Sequence, residues 1–165
     1  MMIPYGRQTI EEDDIQAVVD VLKSDYLTTG PKIAAFEKAV ADYVGAKYAV
    51  AISNDTAALH AACHAAEIGE GDEVITTPIK GKKIGGLSDM TTFSFHPVKP
   101  ITTGEGGMIV TNSEELYKKL VLFRSHGITR DTSLMTRNEG PWFYQQLDLG
   151  YNYRMTDIQC ALGCS

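Results

Sequence analysis

Phe93-Ser94-Phe95-His96-Pro97-Val98-Lys99, followed by Thr103-Gly104-Glu105-Gly106-Gly107, is the stretch on which the fold turns. Met90 to Phe95 reads as a strand. A lysine just past a strand, ahead of tight glycine turns, can be held rigidly with its amine directed into a cleft. An amine that forms an imine must be unprotonated, so burial or a nearby cation has to lower its pKa. The same amine can then move protons as a general acid–base. The plainer alternative is a surface lysine ahead of a β-hairpin, and Lys99 by itself does not decide between them.

Working outward, Met108-Ile109-Val110-Thr111 reads as a second strand, and Ser113 can cap a helix running to about Phe123. From Gly127 to Gly140 there is little periodicity, which predicts loop. On the other side, Lys80-Gly81-Lys82-Lys83-Ile84-Gly85-Gly86 is a basic, glycine-rich turn, and Asp72 to Pro78 reads as a strand. Tyr48-Ala49-Val50-Ala51-Ile52 reads as a buried strand of the kind found in parallel sheets covered on both faces. Ala57 to Ala66 reads as helix. Ile33, Phe36, Val40, Tyr43 and Val44 lie at helical spacing, stopped by Gly45. Ahead of Gly30-Pro31, Thr9 and Glu12 make a capping-box pattern, with Ile15, Val18, Val19 and Leu22 on one apolar face. Helices alternating with strands in this way predict an α/β layer fold.

The chain has 165 residues and a net charge of −6. That balance argues against general affinity for nucleic acid or an anionic membrane. No apolar run reaches the roughly 18 residues needed to cross a bilayer. Met1-Met2-Ile3-Pro4 lacks the regions of a signal peptide, so a cytoplasmic protein is expected. Cys63, Cys160 and Cys164 fit no zinc spacing and are expected to be reduced, mostly buried thiols; no metal site is predicted.

Two further segments carry polar groups at places where chemistry concentrates. Ser53-Asn54-Asp55-Thr56-Ala57 stands at a strand-to-helix junction, where free N–H groups and the helix dipole favour anions. Ordinary N-capping by Asn54 or Asp55 accounts for it equally well. Gly150-Tyr151-Asn152-Tyr153-Arg154-Met155-Thr156-Asp157 is a polar segment opening a helix. Taken together, Ser94 to Lys99, Gly104-Glu105-Gly106-Gly107 and Asn152 to Asp157 resemble the sugar aminotransferases of the DegT/DnrJ/EryC1/StrS group. Leu27-Thr28-Thr29-Gly30-Pro31 and Phe36-Glu37 fit the opening segment of that group.

The resemblance implies the large domain of the aspartate-aminotransferase fold, the type I fold of pyridoxal-phosphate (PLP) enzymes, working as a homodimer with shared active sites. It implies that Lys99 holds PLP as a Schiff base and shuttles protons. Ser94, Asp55 and Thr56 bind its phosphate, and Asn152 reaches the phosphate held by the other subunit. Tyr5 and the stretch Asp25, Tyr26, Leu27 and Thr28 fall where related enzymes approach substrate or cofactor. The implied reaction moves an amine from an amino-acid donor, usually glutamate, to C4 of a UDP-linked 4-keto-6-deoxy sugar. A lysine at 99, where related dehydratases have histidine, favours transamination.

Two departures stand out. Asp55 occupies a place where the family usually has glycine or alanine, and a carboxylate beside a phosphate is repelled unless it turns away. At Pro78-Ile79 a segment of several strands and helices is missing. In the family that segment carries the aromatic residue that stacks on the PLP ring and the acid that pairs with its pyridine nitrogen. Asp89 leads into the lysine strand and does not replace that acid. Residues 1–165 are therefore expected to be a partial PLP-binding large domain without the family's small C-terminal domain. A non-catalytic relative that binds PLP or a nucleotide sugar without turnover, or a truncated inactive fragment, is the alternative.

Overall fold

Residues 48–52 alternate strictly between two apolar environments, and this alternation organises the three layers of the molecule. The computed structural model describes residues 8–72, 85 and 88–165. Strand β1 (Tyr48–Ile52) is followed by helix α3 (Asp55–Ala65), β2 (Met90–Ser94), β3 (Gly107–Thr111) and α4 (Glu114–Arg124). Ahead of β1 come α1 (Glu12–Leu22) and α2 (Pro31–Val44). After α4 come the short pair β4 (Ile128–Thr129) and β5 (Gln145–Gln146), then α5 (Asp157–Cys164). Ala49 and Ala51 of β1, with Met108 and Val110 of β3, pack against Phe36 and Ala41 of α2 and Cys160 of α5. Val50, Ile52 and Ile109 face the other way, onto Ala57, Ala58 and Ala61 of α3 and Leu120 and Phe123 of α4. The alanine-rich face of α3 lets that helix lie close to the sheet.

The sheet corrects one expectation. Its order is β1-β3-β2, and both pairings are antiparallel. The predicted burial on both faces holds, but the strand sense does not follow from it. β1 and β2 run in the same direction only because β3 runs opposite between them. β3 returns beside β2 through the loop that carries Lys99, so the pair is a long hairpin.

The start of the chain also differs from its sequence reading. α1 begins at Glu12, with Glu11 as its N-cap, and the Glu11 N–H donates to the Asp14 carboxylate at 2.9 Å. Thr9 therefore lies outside the capping box assigned to it. Ile15 and Leu22 of the expected apolar face remain exposed, and Val21 is the buried residue. α2 ends as expected at Gly45, whose φ of 76° closes the helix in the left-handed region. The segment 127–140, read as loop, contributes β4, which pairs with β5. The expected strand at Asp72–Pro78 apart from Asp72, most of the basic turn at Lys80–Gly86 and the proposed gap at Pro78-Ile79 lie outside the described residues.

The two edges of the sheet are unlike. On β1, the Ala51 N–H donates to Glu37 Oε1 at 2.9 Å, and Arg124 Nη1 donates to the Ala51 carbonyl at 2.8 Å. Arg124 Nη1 also meets Glu37 Oε1 at 2.5 Å. This ion pair, with side chains 13% and 15% exposed, closes the outer edge of β1. On β2, no strand pairs along the outer edge among the described residues, and all five β2 residues are only half-buried. Glu37→Ala is expected to cost about 3 kcal/mol, because it strands a mostly buried guanidinium and the Ala51 N–H together. Denaturant unfolding checks this, and a loss below about 1 kcal/mol would show that the pair only decorates the surface.

Candidate functional site

The register across the sheet aligns Ile52, Gly107 and Ser94 in one row. The ends of β1 and β2 and the start of β3 therefore meet at one side of the molecule. Gly107 is required there: a Cβ would lie 2.6 Å from the Asn54 carbonyl oxygen. Its absence lets the strand pass directly beneath the start of α3. Asn54 is the N-cap, and its side-chain oxygen accepts from the Ala57 N–H at 2.8 Å. Of the two residues considered for that role, Asn54 performs it. Asp55 and Thr56 are then the first two residues of the helix, whose opening N–H groups have no acceptor within the helix. Asp55 Oδ1 is buried without a hydrogen-bond partner. Three of the predicted phosphate ligands, Asp55, Thr56 and Ser94, thus converge at one end of the sheet.

Lys99 leaves this row on a braced loop. The Phe95 N–H donates to Gly106 O at 2.9 Å, and Thr103 N–H and Thr102 Oγ1 both donate to Phe95 O, at 3.0 and 2.9 Å. The Lys99 N–H closes a turn onto His96 O at 2.9 Å. Its side chain is exposed, so burial, one of the two means considered for lowering its pKa, does not act on it here. It lines a cavity of about 510 Å³ together with Thr9, Asp14, Ile101 and Leu162. The Asp14 carboxyl on that wall is held below its ordinary value by the Glu11 N–H and then by the Ser165 hydroxyl. Asp55, Thr56 and Ser94 do not line this cavity, so the loop of Lys99 follows directly on Ser94 at the end of β2 but the two do not share a pocket.

Residues 8–80 and 77–165 match the DegT/DnrJ/EryC1/StrS aminotransferase family. The chain belongs to that family. An uncharacterized protein of Methanocaldococcus jannaschii is 32% identical over 243 residues, covering 98% of this chain and 63% of that one. The UDP-4-amino-4,6-dideoxy-N-acetyl-beta-L-altrosamine transaminase of Campylobacter jejuni is 31% identical over 246 residues, with the same two shares. The chain therefore spans about 63% of the length of these curated relatives. Among solved structures, the Helicobacter pylori aminotransferase PseC, of pseudaminic-acid biosynthesis, superposes with a TM-score of 0.81 at 23% identity, covering 97% of this chain and 63% of that one. A Streptococcus pneumoniae chain assigned as a sugar aminotransferase, in its PLP form, gives 0.84 at 24% identity, with shares of 98% and 65%. The fold is that of the sugar aminotransferases.

In this member of the DegT/DnrJ/EryC1/StrS family, the remaining predicted residues are gathered around the start of α5. Asn152 is exposed on an extended segment that bridges to Ser125, and Arg154 bridges to Ile52. The Ser53 N–H donates to Tyr153 O at 2.8 Å. Tyr151 and Tyr153 stack on each other at 5.0 Å and turn toward α3, where the Tyr153 hydroxyl meets His60 Nδ1 at 3.0 Å. Asn152 and Arg154, alternating with them, face the other way. Asp25, Tyr26, Leu27 and Thr28 are all exposed, but the stretch is pinned: Leu27 O accepts from the Asp157 N–H at 3.1 Å, and Thr28 bridges to Thr156. Tyr5 lies outside the described residues.

Asp157 and Arg124 brace the surroundings of the site, a part the sequence reading did not assign to either. Asp157 is fully buried and accepts from the Gly30 N–H at 2.7 Å and the Lys32 N–H at 2.9 Å. Gly30, the N-cap of α2, has no side chain to cap with, so a carboxylate from α5 does so instead. No local signal announces this, because the partners are more than a hundred residues apart. The three cysteines are free thiols. Cys160 is buried, and burial drives its thiol far up, away from nucleophilic chemistry. Cys164 is exposed, contrary to expectation, and Cys63 is half-buried. No cluster of metal-binding side chains occurs among the described residues, and no helix among them is long and apolar enough to cross a membrane.

Proposed function

We propose that this chain is part of a PLP-dependent aminotransferase that passes an amine from glutamate to C4 of a UDP-linked 4-keto-6-deoxy sugar. The observation that carries this reading is the convergence of Ser94, at the end of β2, with Asp55 and Thr56 at the α3 start, five residues ahead of Lys99 on the braced loop that follows. The name of the Campylobacter jejuni relative supports the nucleotide-sugar substrate.

The residues fit the cofactor at its phosphate end. The first N–H groups of α3 and the Ser94 hydroxyl donate to the phosphate, and the helix dipole favours its charge. Asn152, exposed on its extended segment, donates to the phosphate held by a partner subunit. The cofactor, when bound, supplies an electron-accepting pyridine ring. The Lys99 amine would hold it and would then serve as the general acid–base for the proton transfers. The exposed Lys99 must turn from its cavity toward Ser94 for this, a movement its flexible stem permits. Asp55 works against the phosphate, since its unpartnered oxygen adds a negative charge at the same helix start. Asp55→Ala is accordingly expected to tighten PLP binding severalfold, read from the saturation of PLP absorbance; weaker binding would show that Asp55 orders the helix start.

The complete protein in this reading is larger than the chain. The alignment to the first relative runs over 243 positions against 165 residues, and the family match falls in two stretches that meet near Pro78. The outer edge of β2 is where further strands would add. Exposed Leu134, Trp142, Tyr144 and Leu149 supply apolar surface suited to a second subunit. The reading places this homodimer in the cytoplasm, with no nucleic-acid or membrane partner. Incubation with L-glutamate and a UDP-4-keto-6-deoxy sugar tests it. Appearance of the 4-amino sugar together with 2-oxoglutarate is the expected result, and PLP binding without turnover would instead mark a non-catalytic relative.

A further inference from the structure

Gly107 lets the backbone of β3 run directly beneath the start of α3, since a Cβ there would lie 2.6 Å from Asn54 O and 2.9 Å from Asp55 N. Ser94, at the end of β2, stands beside Gly107 in the same row of the sheet. Asp55 Oδ1 is buried at this junction and accepts no hydrogen bond. Its own helix does not supply a donor: the Ala57 N–H is spent on Asn54 Oδ1 and the Ala58 N–H on Asn54 O. The titratable or charged groups on the elements that meet here are His60 on α3, His96 and Lys99 past β2, Glu105 ahead of β3 and Arg154 on the extended segment after β5. None of them reaches Asp55 Oδ1, and Glu37 and Arg124 are spent on each other at the edge of β1. A buried carboxylate oxygen without a donor is costly, and native proteins rarely leave one.

We propose that Asp55 makes this cradle take a phosphate monoester together with one proton, shared between the carboxylate and a phosphate oxygen. The inference rests on the reading of the α3 start as a phosphate site and deepens it by fixing the ionisation of the ligand. Two anions in contact and shielded from water do not both stay fully ionised, so the pair keeps a proton that each would lose alone. A phosphate monoester gives up its second proton near about pH 6 in water. At neutral pH the free ligand is therefore mostly the dianion, and it must take up a proton to bind beside Asp55. That proton supplies the donor Oδ1 lacks and makes a short, charge-assisted O–H···O bond. The other phosphate oxygens accept from the free N–H groups at the α3 start. Occupancy then falls as pH rises, because the bound state holds one more proton than the separated partners. Sulfate has the shape of phosphate but carries no proton at this pH, so it meets the carboxylate as a bare dianion and is disfavoured.

The test is calorimetric titration of the full 165-residue chain with deoxypyridoxine phosphate, a PLP analogue without the aldehyde, so that Lys99 does not react with it. Runs near neutral pH in two buffers of different ionisation enthalpy count the protons taken up. Uptake of about half a proton or more is expected, with affinity falling roughly three- to tenfold for each further pH unit. Asp55→Asn keeps a polar residue at the helix start but brings no second anion. Its proton uptake should vanish, and above neutral pH it should bind the analogue severalfold more tightly. On the unmutated chain, inorganic phosphate should displace the analogue at least about tenfold better than sulfate, a readout that depends on no variant to fold. Binding without proton uptake, uptake that persists in folded Asp55→Asn, or equal displacement by sulfate would overturn the proposal. PLP labelling of Lys99 in a parallel sample separates the two readings. Labelling with no proton uptake sinks this inference alone, and proton-linked binding of the analogue without labelling sinks the aminotransferase reading alone. No binding of the analogue removes the phosphate site and this inference with it.

Discussion

Lys99→Ala is expected to abolish amine transfer while leaving the fold intact. The side chain is exposed, and only its backbone N–H, donating to His96 O, is used by the loop. Substitutions at such positions usually change stability by less than about 0.5 kcal/mol. The chemistry has no such tolerance. A positioned general acid–base contributes roughly 10² to 10⁴ in rate, and the covalent hold on the cofactor is lost as well. Lys99→Arg is the informative companion. It keeps the positive charge, yet a guanidinium does not give up its proton or form the imine, so it should be as inactive as alanine. Product formation and a thermal melt on both variants check this. An active arginine variant would reduce Lys99 to an electrostatic role, and a large drop in the melting temperature would show that it holds the loop together.

Asp157→Ala is expected to cost at least as much stability as any other single change considered. The carboxylate is fully buried between two helix starts, with its own residue opening α5 and its oxygens on the first N–H groups of α2. Both macrodipoles favour the charge there. Hydrogen bonds to charged groups are worth about 1.5–3 kcal/mol each, so losing two costs about 3 kcal/mol or more. For a chain of this size that lowers the melting temperature by roughly 6–12 °C. Asp157→Asn keeps one acceptor oxygen and should recover about half of the loss. The effect should reach the site as well, because Asp157 ties Leu27 and Gly30 to the segment that carries Asn152 and Arg154. An alanine variant as stable as the parent would refute this account of the α2 cap.

Much of this architecture was readable from residues close together in sequence. The strand at Tyr48–Ile52 has the bounds its apolar run suggested, and the helix expected from Ser113 to Phe123 spans Glu114–Arg124. Asn54 caps α3 as its side-chain chemistry allows. Strand sense was not readable, because a strand buried on both faces has the same composition in either sense. Nor was the first helix cap, where Thr9–Glu12 and Glu11–Asp14 offer similar chemistry two residues apart and the second prevails. At the candidate site, the convergence of Asp55, Thr56 and Ser94 follows from the resemblance and from Gly107, but the exposed placement of Lys99 does not. Asp157 and Arg124 act through partners distant in the chain, and no local pattern encodes such contacts.

The central claim is that Lys99 is the lysine that holds the cofactor. Incubation of the purified protein with PLP, borohydride reduction and peptide mapping by mass spectrometry test it directly. The account predicts a phosphopyridoxyl group on Lys99 alone, carried by a polypeptide heavier than these 165 residues require. A polypeptide of the mass these residues require, with no adduct or with the adduct spread over other lysines, would contradict it.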